Sequence, residues 1–147
     1  MHPIHPMVVH FPIALLITSV AFDFLATRWR HKSFQDVGFY TLIAGLLGAL
    51  AAVGTGAMAE EAVEGKGIPE SVLEIHEALG YATLLFFIGL LALRLLMRWK
   101  LITERPALYL AMGVVGIVIL SVAGYFGGSL VYDFGAGVDM TMLETLP

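Results

Sequence analysis

Residues 8–27, VVHFPIALLITSVAFDFLAT, decide the fold, because this run of residues contains a single acidic side chain and no lysine or arginine. A helix needs about 20 predominantly apolar residues to cross the ~30 Å hydrocarbon core of a bilayer. Three further apolar segments follow, at about 37–58, 75–97 and 106–130. These segments are too long and too uniformly apolar for the strands of a membrane barrel. We therefore predict an all-α integral membrane protein with four transmembrane helices.

The composition of the whole chain supports this prediction. Of its 147 residues, 59% are hydrophobic and 14% are charged, whereas soluble domains carry about 25% charged residues. The chain has no cysteine, which excludes structural disulfides, thiolate-bound zinc, iron–sulfur clusters and covalently attached c-type haem. Its length corresponds to a single membrane domain, 1–147.

The basic residues predict the orientation of the helices. Seven of the eight lysines and arginines follow the first segment, end the third or fill the loop after it, and Lys66 is the exception. Such residues accumulate on the cytoplasmic side of a membrane, which also explains them without nucleic-acid binding. Short connections make consecutive helices antiparallel neighbours. We expect an up-down bundle in a bacterial inner (cytoplasmic) membrane, with both termini, the 59–74 loop and the 131–147 tail outside.

Charged and small residues inside the apolar segments predict how the helices pack. Asp23 and Arg94 each lie about one turn from the inner end of the first and third helices. Opposite charges at membrane depth usually pair, so we interpret them as a structural ion pair. Glycines recur at three-to-four spacing in the second and fourth segments, and Gly124 and Gly128 form a GxxxG pair. These glycines favour close helix packing, and a glycine-lined face also suits a flat cofactor.

Four of the five histidines gather on the predicted outer side. His10 opens the first helix and His76 opens the third, so both are expected at a similar membrane depth. His2 and His5 precede them on a proline-rich arm, whereas His31 lies among basic residues on the inner side. Imidazole is a standard haem ligand, and helix bundles hold cofactors between inward-facing side chains. We therefore predict one haem b, with His10 and His76 as the ligands of its iron.

The neighbours of this pair suit a porphyrin, and two alternatives remain. Gly80 lies one turn from His76 on the same helix face and leaves room beside it. Small and aromatic residues that would wall a porphyrin are Phe11, Gly54, Tyr81, Gly124 and Tyr125. One alternative is a cofactor-free structural or assembly subunit whose histidines are interfacial. The other is a divalent-metal-binding module in which histidines and nearby glutamates or Met7 hold zinc or copper.

The opening HPIHPMVVHFPIALL, residues 2–16, resembles the start of a bacterial family of small four-helix membrane proteins of unknown function. The glycine-rich second segment, the histidine that opens the third and GGSLVYDFGAGV at 127–138 resemble that family too. The family is similar in layout to b-type cytochrome membrane domains, and its members often occur beside c-type cytochromes. The resemblance implies His10 and His76 as ligand candidates, with His5 as a further one.

These observations lead to one functional expectation. We expect a haem b-binding membrane electron-transfer subunit with the haem near the outer, periplasmic face. Its expected partners are the lipid bilayer, a c-type cytochrome or other redox subunits, and a quinol. The second and fourth segments carry no histidine, so the helices can hold only one haem between two histidines. The sequence shows no nucleophile–base pair, phosphate loop or paired buried carboxylates, which favours an electron-transfer subunit over a stand-alone enzyme.

Overall fold

The computed structural model describes residues 4–29, 31–63 and 67–136, and every regular element in these ranges is a helix. A short helix α1 (His5–Val8) leads into α2 (His10–Trp29), and α3 (Lys32–Val63), α4 (Glu70–Arg98) and α5 (Pro106–Tyr132) follow. With His5–Trp29 taken as one span, four helices are long and apolar enough to cross a membrane. The predicted all-α fold with four membrane-spanning helices is confirmed.

The helices extend beyond the apolar segments that predicted them. α3 begins at Lys32 and continues to Val63, and α4 begins at Glu70, so both helices enter the predicted 59–74 loop. Lysine, glutamate and glutamine are good helix formers, so a helix continues where the apolar segment stops. α5 also runs past 130 into the predicted tail, whose residues 137–147 lie outside the described ranges.

Two helix ends close with a left-handed residue. After α4, Lys100 has a φ of 58°, and the Leu101 amide donates to the Leu96 carbonyl at 3.0 Å. After α5, Gly135 has a φ of 66°, and the Ala136 amide donates to the Leu130 carbonyl at 2.8 Å. The end of α4 is the Schellman arrangement, whereas at the end of α5 the Gly135 amide donates to the Val131 carbonyl at 3.1 Å, as in the simpler αL motif. Glycine adopts the required φ freely, whereas lysine adopts it at a cost.

The bundle consists of two antiparallel hairpins. The first hairpin contains α1, α2 and α3, and the second contains α4 and α5. α3 also packs against α4, and α2 against α5, whereas no described Cα atom of α2 lies within 8 Å of a Cα atom of α4. α2 and α4 therefore lie diagonally across the bundle. The fully buried side chains of Leu16, Leu42, Phe87 and Leu90 fill the space between the hairpins.

The two hairpins follow the same plan, with equivalent residues 71 positions apart, as Asp23 and Arg94 are. In the first hairpin, a Cβ built on Gly45 would lie 2.8 Å from Cδ2 of Leu16. At the equivalent place in the second, a Cβ built on Gly116 would lie 2.9 Å from Cζ of Phe87. Equivalent helices run in the same direction, so an approximate two-fold axis, parallel to the helices, relates the hairpins. We call it the pairing axis.

A polar cluster joins the hairpins at one end of the bundle, which we call the arginine end. Arg94 donates to Oδ2 of Asp23 at 2.6 Å, which confirms the predicted ion pair. The Tyr109 hydroxyl donates to the same oxygen at 3.0 Å. Arg94 also donates to the backbone carbonyl of Gln35 at 2.8 Å. The guanidinium therefore contacts residues of α2, α3 and α5 from its position on α4.

Candidate functional site

A cavity of about 410 Å³ lies between the hairpins at the opposite end of the bundle, the histidine end. Its volume falls within the range of about 300–1,000 Å³ that is typical of ligand pockets. The residues that line it from α3 and α5 are mostly small, among them Ala49, Ala52, Gly56, Ala123, Gly124 and Gly127. Because these side chains are short, the two helices leave room between them.

His5 and His76 meet in this cavity. Their ring centroids lie 6.0 Å apart, and the two ring planes are nearly perpendicular, at 77°. His5 is the first residue of α1 and His76 lies in the second turn of α4. Because α1 continues into α2, which lies diagonally opposite α4, the two imidazoles approach each other across the pairing axis.

Both imidazoles are held in the same way. Nδ1 of His5 lies 2.9 Å from the Ala52 carbonyl oxygen, and Nδ1 of His76 lies 3.0 Å from the Ala123 carbonyl oxygen. A carbonyl oxygen only accepts hydrogen bonds, so Nδ1 carries the hydrogen in both rings. In a neutral imidazole held in this way, the lone pair is on Nε2. Histidines that bind metals commonly donate their other ring N–H in this way.

A glycine of the neighbouring helix lies against each ring. A Cβ built on Gly127 would lie 2.8 Å from Cε1 of His76, and one built on Gly56 would lie 3.2 Å from Cε1 of His5. Gly56 and Gly127 are equivalent residues of the two hairpins. Each hairpin thus supplies one histidine, one carbonyl acceptor and one glycine, so the cavity contains two matching half-sites.

The structure brings His5, not His10, beside His76. His10 lines the cavity but is exposed, and it follows His5 by five residues, which turns it about 140° around a continuous helix. The proline-rich arm expected at His5 begins a helix instead. Pro6 lies within the first two positions of α1, where the fixed φ of proline suits a helix. His2 lies outside the described residues.

The other residues singled out from the sequence divide into two groups. Gly80, Tyr81 and Gly124 line the cavity, as expected for residues near the site. Gly54 is exposed, has no atom within 4 Å of a built Cβ and is absent from the cavity lining. Phe11 is also 68% exposed. The expected porphyrin wall therefore consists of small residues more than of aromatic rings.

The sequence analysis missed the residues that hold the imidazoles. These are Ala52, Thr55 and Gly56 on α3, and Ala123 and Gly127 on α5. The hydrogen bonds of His5 and His76 both join residues that are 47 positions apart. A comparison of the sequence with itself at an offset of 71 would have aligned the two histidines, both alanines and both glycines.

The ring spacing and the donor atoms of the pair are compatible with two histidine ligands of one metal ion. Two imidazoles that bind one ion from opposite sides, at about 2 Å each, have ring centroids roughly 6 Å apart. Across residues 4–29, 31–63 and 67–136, no group of three histidine, cysteine, aspartate or glutamate side chains could hold a metal ion. Haem iron takes its other ligands from the porphyrin, so two imidazoles suffice. His5 and His76 therefore fit a haem better than an ion held by protein ligands alone.

The chain belongs to DUF2231, a family described as predicted membrane proteins, whose family model matches residues 1–140. No curated protein and no solved structure matches the chain. Membership confirms the part of the resemblance that concerns a multi-pass membrane protein. The likeness to b-type cytochromes, the membrane in which the chain resides and its orientation there stay predictions.

Proposed function

We propose that this chain is a haem b-binding membrane electron-transfer subunit in which His5 and His76 bind the iron from opposite sides. The observation that carries the proposal is the approach of the two rings to 6.0 Å within the cavity, with each Nδ1 held by a backbone carbonyl. A bound haem supplies one-electron chemistry. His10, the other ligand candidate, then contributes to the cavity wall and not to the iron.

The residues around the pair orient the ligands. The carbonyl oxygens of Ala52 and Ala123 fix the tautomer and the ring orientation, and a hydrogen bond at Nδ1 makes Nε2 a stronger ligand. The Thr55 hydroxyl oxygen, 3.2 Å from Nδ1 of His5, adds a second acceptor on that side alone. The absence of a Cβ at Gly56 and Gly127 lets each ring lie against its neighbouring helix.

The cavity supports electron transfer by its composition and its position. Its lining is largely apolar, with Leu16 and Leu120 on its inner part, and limited access of water is one of the factors that tune a haem potential. If the basic residues face the cytoplasm, the histidine end faces the periplasm. A c-type cytochrome, another redox subunit or a quinol in the bilayer then reaches the site from that side.

The test is a reduced-minus-oxidised absorption spectrum of the purified protein, with extraction of porphyrin. We expect an α-band that disappears in His5→Ala and in His76→Ala. The matched controls are His10→Ala, at the rim of the cavity, and His31→Ala, at the arginine end; both keep the band. A protein that contains no porphyrin when expressed with haem precursor would contradict the proposal. Loss of the band in His10→Ala but not in His5→Ala would contradict the assignment of the ligands.

The same preparation separates the two alternative functions. Zinc or copper in a fixed ratio to protein, found by elemental analysis after treatment with a chelator, would indicate a divalent-metal-binding module. A colourless, metal-free protein that co-purifies with a partner in a fixed ratio would indicate a structural or assembly subunit.

A further inference from the structure

The Asp23–Arg94 pair occupies the pairing axis, as the two histidines do, but at the opposite end of the bundle. Asp23 lies on α2 and Arg94 on α4, and the two positions are equivalent in the two hairpins. Their side chains are 7% and 13% exposed. At 1.5 Å per residue, the 18 residues from His5 to Asp23 span roughly 27 Å, so the two pairs lie at opposite ends of the same helices.

Few contacts join the two diagonal helices directly. The described Cα atoms of α2 and those of α4 stay more than 8 Å apart. Between the two ends, the hairpins meet through apolar side chains such as Leu16 and Phe87, which have no preferred partner atom. Dispersion contacts of this kind tolerate small shifts, whereas a hydrogen-bonded ion pair has a defined geometry.

The two halves of the chain are adapted to opposite members of the pair. Gly38, packed against the Asp23 carboxylate, leaves room for it, since a built Cβ would collide with Oδ1. The equivalent residue in the second hairpin is Tyr109, which lies beside Arg94 and donates to Asp23. The two hairpins are therefore complementary at the arginine end and alike at the histidine end.

We propose that Asp23 and Arg94 are positioning residues for the histidine pair. The ion pair fixes the relative tilt and translation of α2 and α4 at the arginine end. The rigid helices carry this alignment to the histidine end, where it determines the separation of His5 and His76. When one partner is removed, the charge that remains is unpaired at membrane depth. The hairpins then shift to expose it, and the alignment of the two rings is lost.

The chain has no cysteine, so spin labels can be introduced at chosen positions without background. Met7 and Ala78 are equivalent positions at the histidine end, both exposed and both outside the cavity lining. In the full chain with Met7→Cys and Ala78→Cys, we expect a single narrow distance peak between the labels. Asp23→Asn and Arg94→Gln, each tested alone, should broaden or split this peak.

Exchange of the two charges is the decisive variant. The exchange variant combines Asp23→Arg and Arg94→Asp with Gly38→Tyr and Tyr109→Gly, so that each charge keeps the neighbour to which it is adapted, and it should restore the narrow peak. Thr41→Val is the control, because Thr41 bonds only to carbonyls of its own helix at the arginine end. An unchanged peak in both single variants, or broad peaks in the single variants and in the exchange variant alike, would overturn the proposal.

The separation of the histidines is measured in protein expressed without haem precursor, because a haem held by both rings would itself fix that separation. If the distance peak broadens in the single variants and the chain contains no porphyrin when haem precursor is supplied, the positioning role is supported and the haem proposal is contradicted. An α-band together with unchanged label distances would support the haem proposal and overturn the positioning role.

Discussion

The two ends of the bundle differ in the residues that occupy equivalent positions on either side of the pairing axis. At the arginine end, equivalent positions carry opposite charges, and Asp23 and Arg94 neutralise each other directly. At the histidine end, equivalent positions carry the same residue, and His5 and His76 present one imidazole each beside a cavity. Opposite charges form a complete pair by themselves, whereas two imidazoles whose Nδ1–H groups donate to carbonyls leave Nε2 of each ring for a Lewis acid or a hydrogen-bond donor. This difference supports a packing role for the arginine end and, under the proposed function, a binding role for the histidine end.

The largest effect is expected from a substitution that breaks the Asp23–Arg94 pair at the arginine end. Arg94→Leu leaves the Asp23 carboxylate without its partner, and loss of one member of a buried ion pair costs about 3–5 kcal/mol. We expect a much lower thermal midpoint in detergent. Arg98→Leu is the matched control, because Arg98 is exposed and its guanidinium lies over the Phe39 ring, 5.0 Å from the centroid. Equal losses in both variants would show that the pair contributes nothing specific.

The next largest effect is expected from a substitution that displaces the His76 ring without replacing a histidine. Gly127→Ala places a Cβ 2.8 Å from Cε1 of His76, so the ring must move, at a cost of about 1–3 kcal/mol. We expect a large loss of bound haem, measured as haem per protein, in a bundle that still spans the membrane. Gly54→Ala adds the same methyl group where nothing lies within 4 Å and outside the cavity lining, and it should retain haem. If both variants keep haem, His76 does not rest on Gly127 in the bound protein.

A smaller change sharpens the difference between the two half-sites. Thr55→Val removes the hydroxyl oxygen 3.2 Å from Nδ1 of His5, for which the second hairpin has no counterpart because Phe126 is the equivalent residue. A neutral hydrogen bond of this kind is worth about 0.5–1.5 kcal/mol. We expect the haem to remain and its midpoint potential to shift. Thr41→Val, remote from the cavity, should leave the potential unchanged.

The smallest expected effect lies outside both pairs. Lys100 has a φ of 58°, which costs a residue with a side chain about 1 kcal/mol relative to glycine. Glycine loses more conformational freedom on folding, so the net gain from Lys100→Gly is about 0.5 kcal/mol or less. A thermal midpoint slightly above that of the unmodified chain would confirm this. The haem spectrum should be identical, since the turn after α4 lies far from the cavity.

The parts of the structure that the sequence predicts correctly are those that the membrane itself imposes. The four helices follow from the length of the apolar segments, because the bilayer accepts few other structures. The Asp23–Arg94 pair follows from the rarity of charge at membrane depth, since two opposite charges there have few other partners. In both cases a requirement of the bilayer, for hydrogen-bonded backbone or for paired charge, permits only one structure.

The histidine pair is harder to predict because both His5 and His10 lie at a membrane depth that would allow contact with His76. The sequence analysis favoured His10, which opens the apolar segment, and left His5 on an arm. Hydropathy marks depth in the bilayer, whereas the direction of a side chain depends on where the helix begins. Once α1 begins at His5, His5 and His10 point in different directions, and only one of them can face His76 across the axis.

The buried side chains of Leu16, Leu42, Phe87 and Leu90 form a layer that separates the cavity from the arginine end. These four side chains are hydrocarbon, so the layer contains no titratable group and no side chain that could bind a metal. The layer thus insulates the cavity from the arginine end. Under the proposed function, an electron would therefore enter and leave a haem in the cavity from the histidine end of the bundle. The chain alone would then not carry an electron across the whole bilayer.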